Sequence, residues 1–316
     1  MTIYELGETA VVRAIIRSLD IEFEDCAVID LADAEYLVAT TDMFHRATDF
    51  PEEMSAWQIG WMTAAGTLSD IAAMGARPFG LLVSIGLPDL PPAFVESMIG
   101  GLSDCAHECG TAIIGGDTDS HQELTITGTA LGCVRKDQIL RRRGAQVGDL
   151  VCVTGHLGTA GAGMRALELG LATGDPVAVN KLFEPVPRIA EGIRLAESKA
   201  VTSMMDNSDG LSESLYQLAE VNGCGFTIHA DSLPMLSGLD LGLGPDLDLA
   251  LYTGGDFELL FTVAPERLVD ARNACELTVI GEAISEGVFL EGDRTEEIER
   301  KGYRSLRCQD ASSTDL

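Results

Sequence analysis

Short apolar runs that end in acidic residues recur along this chain and constrain its fold more than any other feature. Residues 111–120 read TAIIGGDTDS, which predicts a buried strand at Thr111–Ile114 that stops at a glycine pair. Asp117 and Asp119 follow at once. Glycine lets a backbone approach a ligand closely, and neighbouring carboxylates repel each other unless a cation such as Mg²⁺ joins them. The stretch therefore indicates a cation site, and the alternative is a polar turn.

Acidic residues also precede or follow three further predicted strands. Asp25 precedes a short apolar run, Tyr36–Thr40 leads into Thr41 and Asp42, and Ser203–Met205 leads into Asp206, Ser208 and Asp209. Helix capping explains one of the last two aspartates but not both. Asp70 lies in a weakly charged predicted helix, Ala56–Met74, where a buried carboxylate requires a partner or a metal. The alternative for Asp70 is an exposed helix position.

The order of predicted elements indicates an α/β (α+β) chain of two domains. We predict an N-terminal domain at 1–140, a linker at 141–149, a C-terminal α/β domain at 150–310 and a loose tail at 311–316. In the second domain we expect a glycine loop before a helix at Met164–Leu169, and a loop at Gly174–Pro187. The last core strand is predicted at Leu277–Glu282.

The charge balance limits the partners of this protein. Its net charge is -29 with only four lysines, which disfavours nucleic acid and anionic membranes. A phosphate ligand must then be received by metal ions, backbone amides and a few arginines. Arg141–Arg143 is the one dense basic cluster, and because it falls between the predicted domains, one arginine is a candidate ligand. No spanning segment or signal peptide is visible, so we expect a cytoplasmic protein.

Several motifs together resemble one enzyme family. ELGE, DCAVI, TTDM, LSDIAAMGARP, GGDT, GDLVCVTGHLG, SDGL, GGDFELLF and a closing GYR occur in this order over nearly the whole chain. They resemble the thiamine-monophosphate kinases, which belong to the superfamily of aminoimidazole ribonucleotide synthetase. The resemblance implies a two-domain fold like that synthetase, a homodimer that pairs its N-terminal sheets, and the use of ATP with several Mg²⁺ ions to phosphorylate thiamine monophosphate.

The resemblance also assigns roles to residues. Metal binding falls on Asp25, Asp42, Asp70, Asp117, Asp206 and Asp209, assisted by Thr40 and Thr41. ATP contacts fall on Thr41, Gly116, Asp117, Arg142 and Ser208. Catalytic roles fall on Asp42, Asp117 and Asp209, and acceptor contacts fall on Asp49, Asp256 and Tyr303, the last of which is expected to stack on an acceptor ring.

The residues also fit direct phosphoryl transfer, which depends on alignment and charge neutralisation. A phosphate monoester is largely dianionic near neutral pH, so no general base is needed.

Three positions depart from the family pattern: Asp49 replaces a histidine, Asp119 stands where the family usually has Thr-Thr-Arg, and Gly255 replaces a glutamate. Two alternatives therefore stay open: another ATP-dependent enzyme of the superfamily with a different acceptor, or a nucleotide-binding protein without turnover.

Overall fold

The structure is a computed structural model, and it describes residues 8–32, 34–170, 176–236 and 247–303. The predicted tail at 311–316 lies outside these ranges. Among the described helices, none has the length and apolar character needed to cross a membrane. The described chain forms two mixed sheets with helices packed on them, one in each half of the sequence.

A five-stranded sheet occupies the first half of the chain. Its strands are β1 (Ala27–Asp30), β2 (Glu35–His45), β3 (Arg77–Leu87), β4 (Ile113–Ser120) and β5 (Thr125–Arg135). They lie in the order β1-β2-β5-β3-β4, and every pair is antiparallel except β3 with β4. The helices of this half are α1 (Glu8–Leu19), α2 (Ala56–Ala73) and α3 (Pro92–Glu108). The predicted strand–helix order of the first domain is thus confirmed.

Helix α2 is the central element of the molecule because nearly all of its residues are buried. It begins at a capping box, in which the Ser55 hydroxyl accepts from the Gln58 amide and the Gln58 side chain accepts from the Ser55 amide. Its small side chains allow close neighbours, and buried Thr63 and Thr67 satisfy their hydroxyls on carbonyls one turn earlier. A polar residue on this helix therefore points into the protein interior.

The predicted end of the strand at Gly115 and Gly116 is wrong. Strand β4 runs through both glycines and continues to Ser120, paired in parallel with β3. A Cβ at Gly116 would lie 1.9 Å from the Val83 carbonyl oxygen. The glycine thus permits close approach of the neighbouring strand, and the acidic residues lie within β4 rather than in a turn after it.

One face of the first sheet is left uncovered. Strand alternation places Val83 and Ile126 on the face that packs on the helices, while apolar residues on the other face are open to solvent. Met43 is 60% exposed, Phe79 is 61% exposed and Ile114 is 53% exposed. An apolar face of this kind is typical of an interaction surface.

A seven-stranded sheet occupies the second half. Its strands are β6 (Leu150–Val153), β7 (Val201–Asn207), β8 (Gly225–His229), β9 (Glu258–Val263), β10 (Thr278–Ile284), β11 (Val288–Glu291) and β12 (Thr295–Glu297). They lie in the order β12-β11-β8-β10-β6-β9-β7. The helices are α4 (Thr159–Glu168), α5 (Pro176–Phe183), α6 (Ile189–Ser198), α7 (Leu211–Asn222), α8 (Leu247–Tyr252) and α9 (Leu268–Ala274). The predicted strand Leu277–Glu282 corresponds to β10, but it is not the last strand.

Two loop predictions in this half are wrong. Helix α4 begins at Thr159, so Gly161 and Gly163 lie inside the helix rather than in a glycine loop. A Cβ at Gly161 would lie 2.1 Å from the Thr253 hydroxyl, which shows that close packing requires these glycines. The predicted loop at Gly174–Pro187 contains α5.

The two halves meet along α2. Gly192 of α6 packs so closely on this helix that a Cβ there would lie 2.2 Å from the Ala72 carbonyl oxygen. On the same helix, the Ser69 hydroxyl donates to Asp206 on β7. The second half therefore contacts the acid-bearing part of α2 directly. The domain boundaries at residues 140 and 150 stay a prediction.

The contact between α2 and α3 yields a test with neighbouring glycines. A Cβ at Gly101 would lie 1.8 Å from the Trp57 carbonyl oxygen, whereas a Cβ at Gly100 would lie no closer than 3.8 Å to Trp57. We expect Gly101→Ala to lower the free energy of unfolding by about 1–3 kcal/mol, because two backbones must separate. Gly100→Ala should raise it by up to about 1 kcal/mol through helix propensity. Urea unfolding followed by circular dichroism measures both, and equal effects would contradict this packing.

Candidate metal and phosphate site

Three of the predicted metal ligands meet between the two sheets. Carboxylate oxygens of Asp25, Asp70 and Asp206 lie within 4.8 Å of one another. Asp25 comes from the loop before β1, Asp70 from α2 and Asp206 from β7. Asp42, on the inner face of β2, is close enough for its charge to affect Asp70. Separate elements from both halves thus bring four predicted ligands together.

Hydroxyl groups hold these carboxylates in place. Thr40 donates to Asp70, and its assisting role at a metal ion stays a prediction. Ser69 donates to Oδ2 of Asp206 over 2.8 Å, and Ser208 donates to Oδ1 of the same residue over 3.1 Å. Asp209 lies in the short loop after β7 and adds a further negative charge near Asp206.

Burial and mutual repulsion make this cluster unfavourable when all its members are ionised. Burial, followed by the negative charge of Asp25, raises the pKa of Asp206 to about 7 and the pKa of Asp42 to about 6. Burial and the charges of Asp42 and Asp206 raise the pKa of Asp70 well above its usual range. Without a cation, these shifts favour the protonated carboxyls over a fully ionised cluster.

The donor set fits a hard divalent cation. Among the described residues, Oδ2 of Asp25 and Oδ2 of Asp42 are buried and have no hydrogen-bond partner. Buried oxygens of this kind are normally satisfied, and Mg²⁺ binds carboxylate oxygens from a few residues. The orphaned oxygens, the hydroxyl supports and the raised pKa values all agree with binding of such an ion.

Arg142, predicted as an ATP ligand, lies buried beside the cluster. Its Nη2 donates to Oδ1 of Asp25 over 2.6 Å, and its Nη1 donates to Gln217 over 2.8 Å. The guanidinium lies 4.5 Å from the centre of the Phe23 ring. Burial disfavours the charge of Arg142, but Asp25 outweighs this effect and the pKa of the arginine is raised. Arg142 is thus a counter-charge of the cluster, and a contact with ATP stays a prediction.

Asp117 is not brought to the cluster within one chain. In the sheet register Asp42 lies opposite Gly128, Gly128 opposite Val83, and Val83 opposite Gly116. Strand β4 is therefore three strand spacings from β2, or about 14 Å. Asp117 also projects from the uncovered face, as does Thr41, whose hydroxyl lies 3.0 Å from that of Thr129.

A cavity of about 300 Å³ adjoins Asp117. Its walls are mostly apolar and come from β3, β4 and α3, with the backbone of the glycine pair on one side. The lining residues are Val83, Ile85, Ile99, Ile113, Gly115, Gly116, Asp117 and Thr118. An apolar cavity with a few polar groups is a common form of small-molecule site.

Two of the predicted acceptor residues contact each other. The Tyr303 hydroxyl donates to Oδ1 of Asp49 over 2.7 Å, and the Tyr303 amide donates to the Asp209 carbonyl over 2.9 Å. Asp256 lies elsewhere in the interior and accepts from the Gly158 and Ala160 amides at the start of α4. Burial raises the pKa of Asp256 to about 6. The structure thus gives Asp256 a helix-capping contact, and its contact with an acceptor stays a prediction.

Several residues in and around the cluster were missed from the sequence. Ser69 directly precedes Asp70, and this adjacency was an available signal. Asn207 has a buried Nδ2 without a partner among the described residues, next to Asp206. Glu258 is buried and accepts from Arg188, Lys181 and Thr154 at 2.6–2.8 Å. Nothing in the sequence links Glu258 to these partners, because they come from distant segments.

Known proteins share the fold and sequence of this chain. Residues 23–134 match the N-terminal domain of the AIR synthase related proteins, and residues 146–292 match their C-terminal domain. The thiamine-monophosphate kinase of Methanospirillum hungatei is 41% identical over 280 residues, covering 89% of this chain and 92% of that protein. That of Halobacterium salinarum is 38% identical over 258 residues, covering 80% and 87%. The solved structure of AaThiL complexed with AMPPCP and TMP has a TM-score of 0.88 at 28% identity, covering 96% and 99%.

The raised pKa values predict that a rise in pH lowers the stability of the metal-free protein and increases the stabilisation that Mg²⁺ provides. Asp206 and Asp42 hold protons more tightly in the folded state than in the unfolded chain, so their contribution to stability is complete below about pH 4. In EDTA, this contribution is lost as the pH rises through about 6 to 7. We expect the free energy of unfolding to fall by at least about 1 kcal/mol between pH 5 and pH 8. Thermal or urea unfolding measures it.

Mg²⁺ should stabilise the protein more at pH 8 than at pH 5, because proton competition is then weaker. Asp206→Asn, which resembles the protonated carboxyl, should stabilise the metal-free protein at pH 8 and reduce its response to Mg²⁺. Asp270→Asn on the exposed surface of α9 serves as the matched control and should keep both responses. A Mg²⁺ response independent of pH would contradict the assignment of the cluster.

Proposed function

Because the chain belongs to the thiamine-monophosphate kinases of the AIR synthase related family, we propose that it transfers the γ-phosphoryl group of ATP to thiamine monophosphate. The product is thiamine diphosphate, and ADP leaves. The observation that carries this proposal is the convergence of Asp25, Asp42, Asp70 and Asp206, with orphaned buried oxygens, between the two sheets. The family resemblance and the two-domain α/β fold are confirmed by the family match and the structural match to AaThiL.

The chemistry that we propose is direct in-line transfer. An oxygen of the acceptor phosphate attacks the γ-phosphorus, and the bond between the γ-phosphorus and the β-γ bridging oxygen breaks. The acceptor phosphate is already largely dianionic near neutral pH, so no side chain has to remove a proton. The protein then acts by positioning two anions and lowering their repulsion.

Mg²⁺ would be held by Asp25, Asp42, Asp70, Asp206 and Asp209 with Thr40, and it would neutralise charge on the reacting phosphates. The hydroxyls of Ser69 and Ser208 orient Asp206, and Arg142 orients Asp25 through its 2.6 Å contact. These contacts fix the carboxylates before a ligand arrives, which lowers the cost of assembling the site.

For the nucleotide, we propose a site beside β4. The cavity next to Gly116 offers apolar walls to a flat base on the helix-packed side of the sheet, whereas Asp117 and Thr41 project from the uncovered face. A relative, AaThiL, has been solved with AMPPCP and TMP together, which supports an ATP site in this fold. Contacts of ATP with Arg142 and Ser208 belong to the same proposal.

We also propose a homodimer that pairs the uncovered faces of the first sheets. Exposed Met43, Phe79 and Ile114 supply apolar area that a second copy would remove from water. Asp117 projects from this face, about 14 Å from Asp42 by strand spacing. A second copy is therefore a simple source of the Asp117 that completes each site.

A second candidate is another ATP-dependent reaction with a different phosphorylated acceptor, or nucleotide binding without turnover. It is favoured by the departures at Asp49, Asp119 and Gly255, which leave the buried carboxylates unaffected. Incubation with ATP, Mg²⁺ and thiamine monophosphate separates the candidates, since only the kinase forms thiamine diphosphate.

The buried carboxylates should be essential for turnover. We expect Asp42→Asn to lower thiamine diphosphate formation at least about 100-fold without unfolding the protein, because a metal ligand and its charge are lost. Asp30→Asn is the control. Asp30 lies on β1, next to β2, and is an exposed residue that forms an ion pair with Lys136. Product chromatography and circular dichroism measure turnover and folding. Full activity of Asp42→Asn would remove this residue from the site.

Mixing two inactive variants tests the source of Asp117. If each site combines Asp42 of one chain with Asp117 of the second, equal amounts of Asp42→Asn and Asp117→Asn should form mixed dimers with one intact site each. Random exchange should then restore about a quarter of the unmodified activity. No recovery, in mixtures shown to contain mixed dimers, would place both residues in the site of a single chain.

A further inference from the structure

Arg142 has one donor that the described residues leave without an acceptor. The guanidinium group of arginine carries five N–H donors in a rigid planar fork. Nη2 donates to Oδ1 of Asp25 over 2.6 Å, and Nη1 donates to Oε1 of Gln217 over 2.8 Å. Nε is buried and has no hydrogen-bond partner in the described part of the chain. An unpaired donor on a buried charged group is costly, so this nitrogen indicates an acceptor that a ligand supplies.

The direction of the Nε donor depends on the contacts of the two Nη atoms. Because the guanidinium is rigid, Asp25 and Gln217 together determine where the Nε–H bond is directed. The Phe23 ring, 4.5 Å from the guanidinium carbon, limits movement out of the plane. Asp25 is itself a predicted metal ligand with an unpartnered Oδ2. Gln217 is therefore the anchor of Arg142 to which no role has been assigned.

Gln217 is held in one orientation by its own helix. It lies on α7 with a buried side chain, and its Nε2 donates to Oε1 of Glu213, one turn earlier, over 3.3 Å. An ionised carboxylate accepts hydrogen bonds and cannot donate them. The amide nitrogen of Gln217 must therefore face Glu213, and the amide oxygen faces Arg142.

Glu213 is fixed in turn by Arg300, which follows β12. Nε of Arg300 donates to Oε2 of Glu213 over 2.9 Å, and Nη2 donates to Oε1 over 2.7 Å. Two parallel hydrogen bonds of this kind fix the geometry of both partners. Nη1 of Arg300 also donates to Glu220, near the end of α7, over 2.6 Å. A continuous chain of contacts thus leads from the surface of α7 to the guanidinium of Arg142.

Gln217 supplies an acceptor without adding a negative charge. Two carboxylates already contact Arg142, since Asp25 accepts from Nη2 and Glu24 accepts from the backbone amide. A third carboxylate in place of Gln217 would repel a phosphate at short range. The neutral amide orients the guanidinium and avoids this repulsion.

We propose that Gln217 is a positioning residue, which holds Arg142 so that Nε donates to a phosphate oxygen of the nucleotide. This inference rests on the proposed function, because the contact of ATP with Arg142 belongs to it. Gln217 itself does not touch the nucleotide. Its effect on nucleotide binding should therefore exist only while the guanidinium is present.

A double-mutant cycle tests whether Gln217 acts through Arg142. Gln217→Met keeps the length of the side chain and removes the acceptor, and Arg142→Met removes the guanidinium. Isothermal titration with ATP in the presence of Mg²⁺ gives dissociation constants for the unmodified protein, the two single variants and the double variant. Gln122→Met, in the exposed loop between β4 and β5, is the matched control.

We expect Gln217→Met to weaken ATP binding about tenfold, because the fork loses one of its two Nη anchors. In the Arg142→Met background the same substitution should change the dissociation constant less than twofold. Gln217→Met should raise the KM for ATP and leave the KM for thiamine monophosphate within twofold. Gln122→Met should change none of these values. Equal weakening by Gln217→Met in both backgrounds, or no weakening beside an intact Arg142, would overturn the inference.

Two further variants keep this cycle informative. If circular dichroism shows that Gln217→Met does not fold, Gln217→Asn replaces it, since the shorter amide no longer reaches Arg142. If Arg142→Met binds ATP too weakly to titrate, Arg142→Lys replaces it, because lysine keeps the charge without the planar fork. The expected loss of the Gln217 effect is the same for both replacements.

The unmodified protein separates this inference from its premise. If that protein binds ATP and forms thiamine diphosphate while the cycle shows independent effects, the inference alone fails. If it binds ATP but does not phosphorylate thiamine monophosphate, the proposed reaction fails, and the cycle still decides the role of Gln217. If it does not bind ATP, both fail.

Discussion

Repulsion among buried carboxylates is the constraint on which the rest of this structure depends. Asp25, Asp42, Asp70 and Asp206 share one region of low dielectric, where like charges cannot coexist without protons or cations. One guanidinium, that of Arg142, compensates part of this charge through Asp25. The fold must therefore supply enough stability elsewhere to hold the acids in place. Close packing around α2 supplies this stability, since that helix is buried along nearly its whole length.

The composition of α2 follows from the same constraint. A helix that delivers an acid to the centre of a molecule must be surrounded by other elements, and bulky side chains would keep them away. Gly60 admits α3 and Gly66 lies against the Phe44 ring, while Gly192 of α6 reaches the carbonyl of Ala72. The hydroxyls of this helix are satisfied locally on its own carbonyls or, for Ser69, on Asp206. Small residues thus allow both the packing and the placement of the carboxylate.

The sequence predicted the parts of the site that depend on local pattern. Acids next to short apolar runs indicated Asp25, Asp42 and Asp206, and a weakly charged helix indicated Asp70. The resemblance assigned metal binding to all four, and the structure brings them together. The predictions from sequence failed where tertiary contacts override a local conformational preference. Gly115, Gly116, Gly161 and Gly163 looked like turn or loop residues, yet they lie in a strand and a helix because neighbouring elements approach them closely. The outward direction of Asp117 follows from sheet register, which a single segment does not determine.

The departures from the family pattern lie where the structure can accept them. Asp49 is in a loop, and Asp119 is on the exposed edge strand β4. Gly255 lies in the loop before β9 with a φ of +93°, and its amide donates to the Ser208 carbonyl. Replacing a residue there changes what a ligand meets without changing how the buried acids are balanced. Replacing Asp206 or Asp70 would change the electrostatic repulsion among the buried carboxylates, and with it the pKa values of those that remain. The buried carboxylates therefore restrict which substitutions the interior can accept, while substitutions in the surrounding loops and at the sheet edge leave their charge balance unchanged.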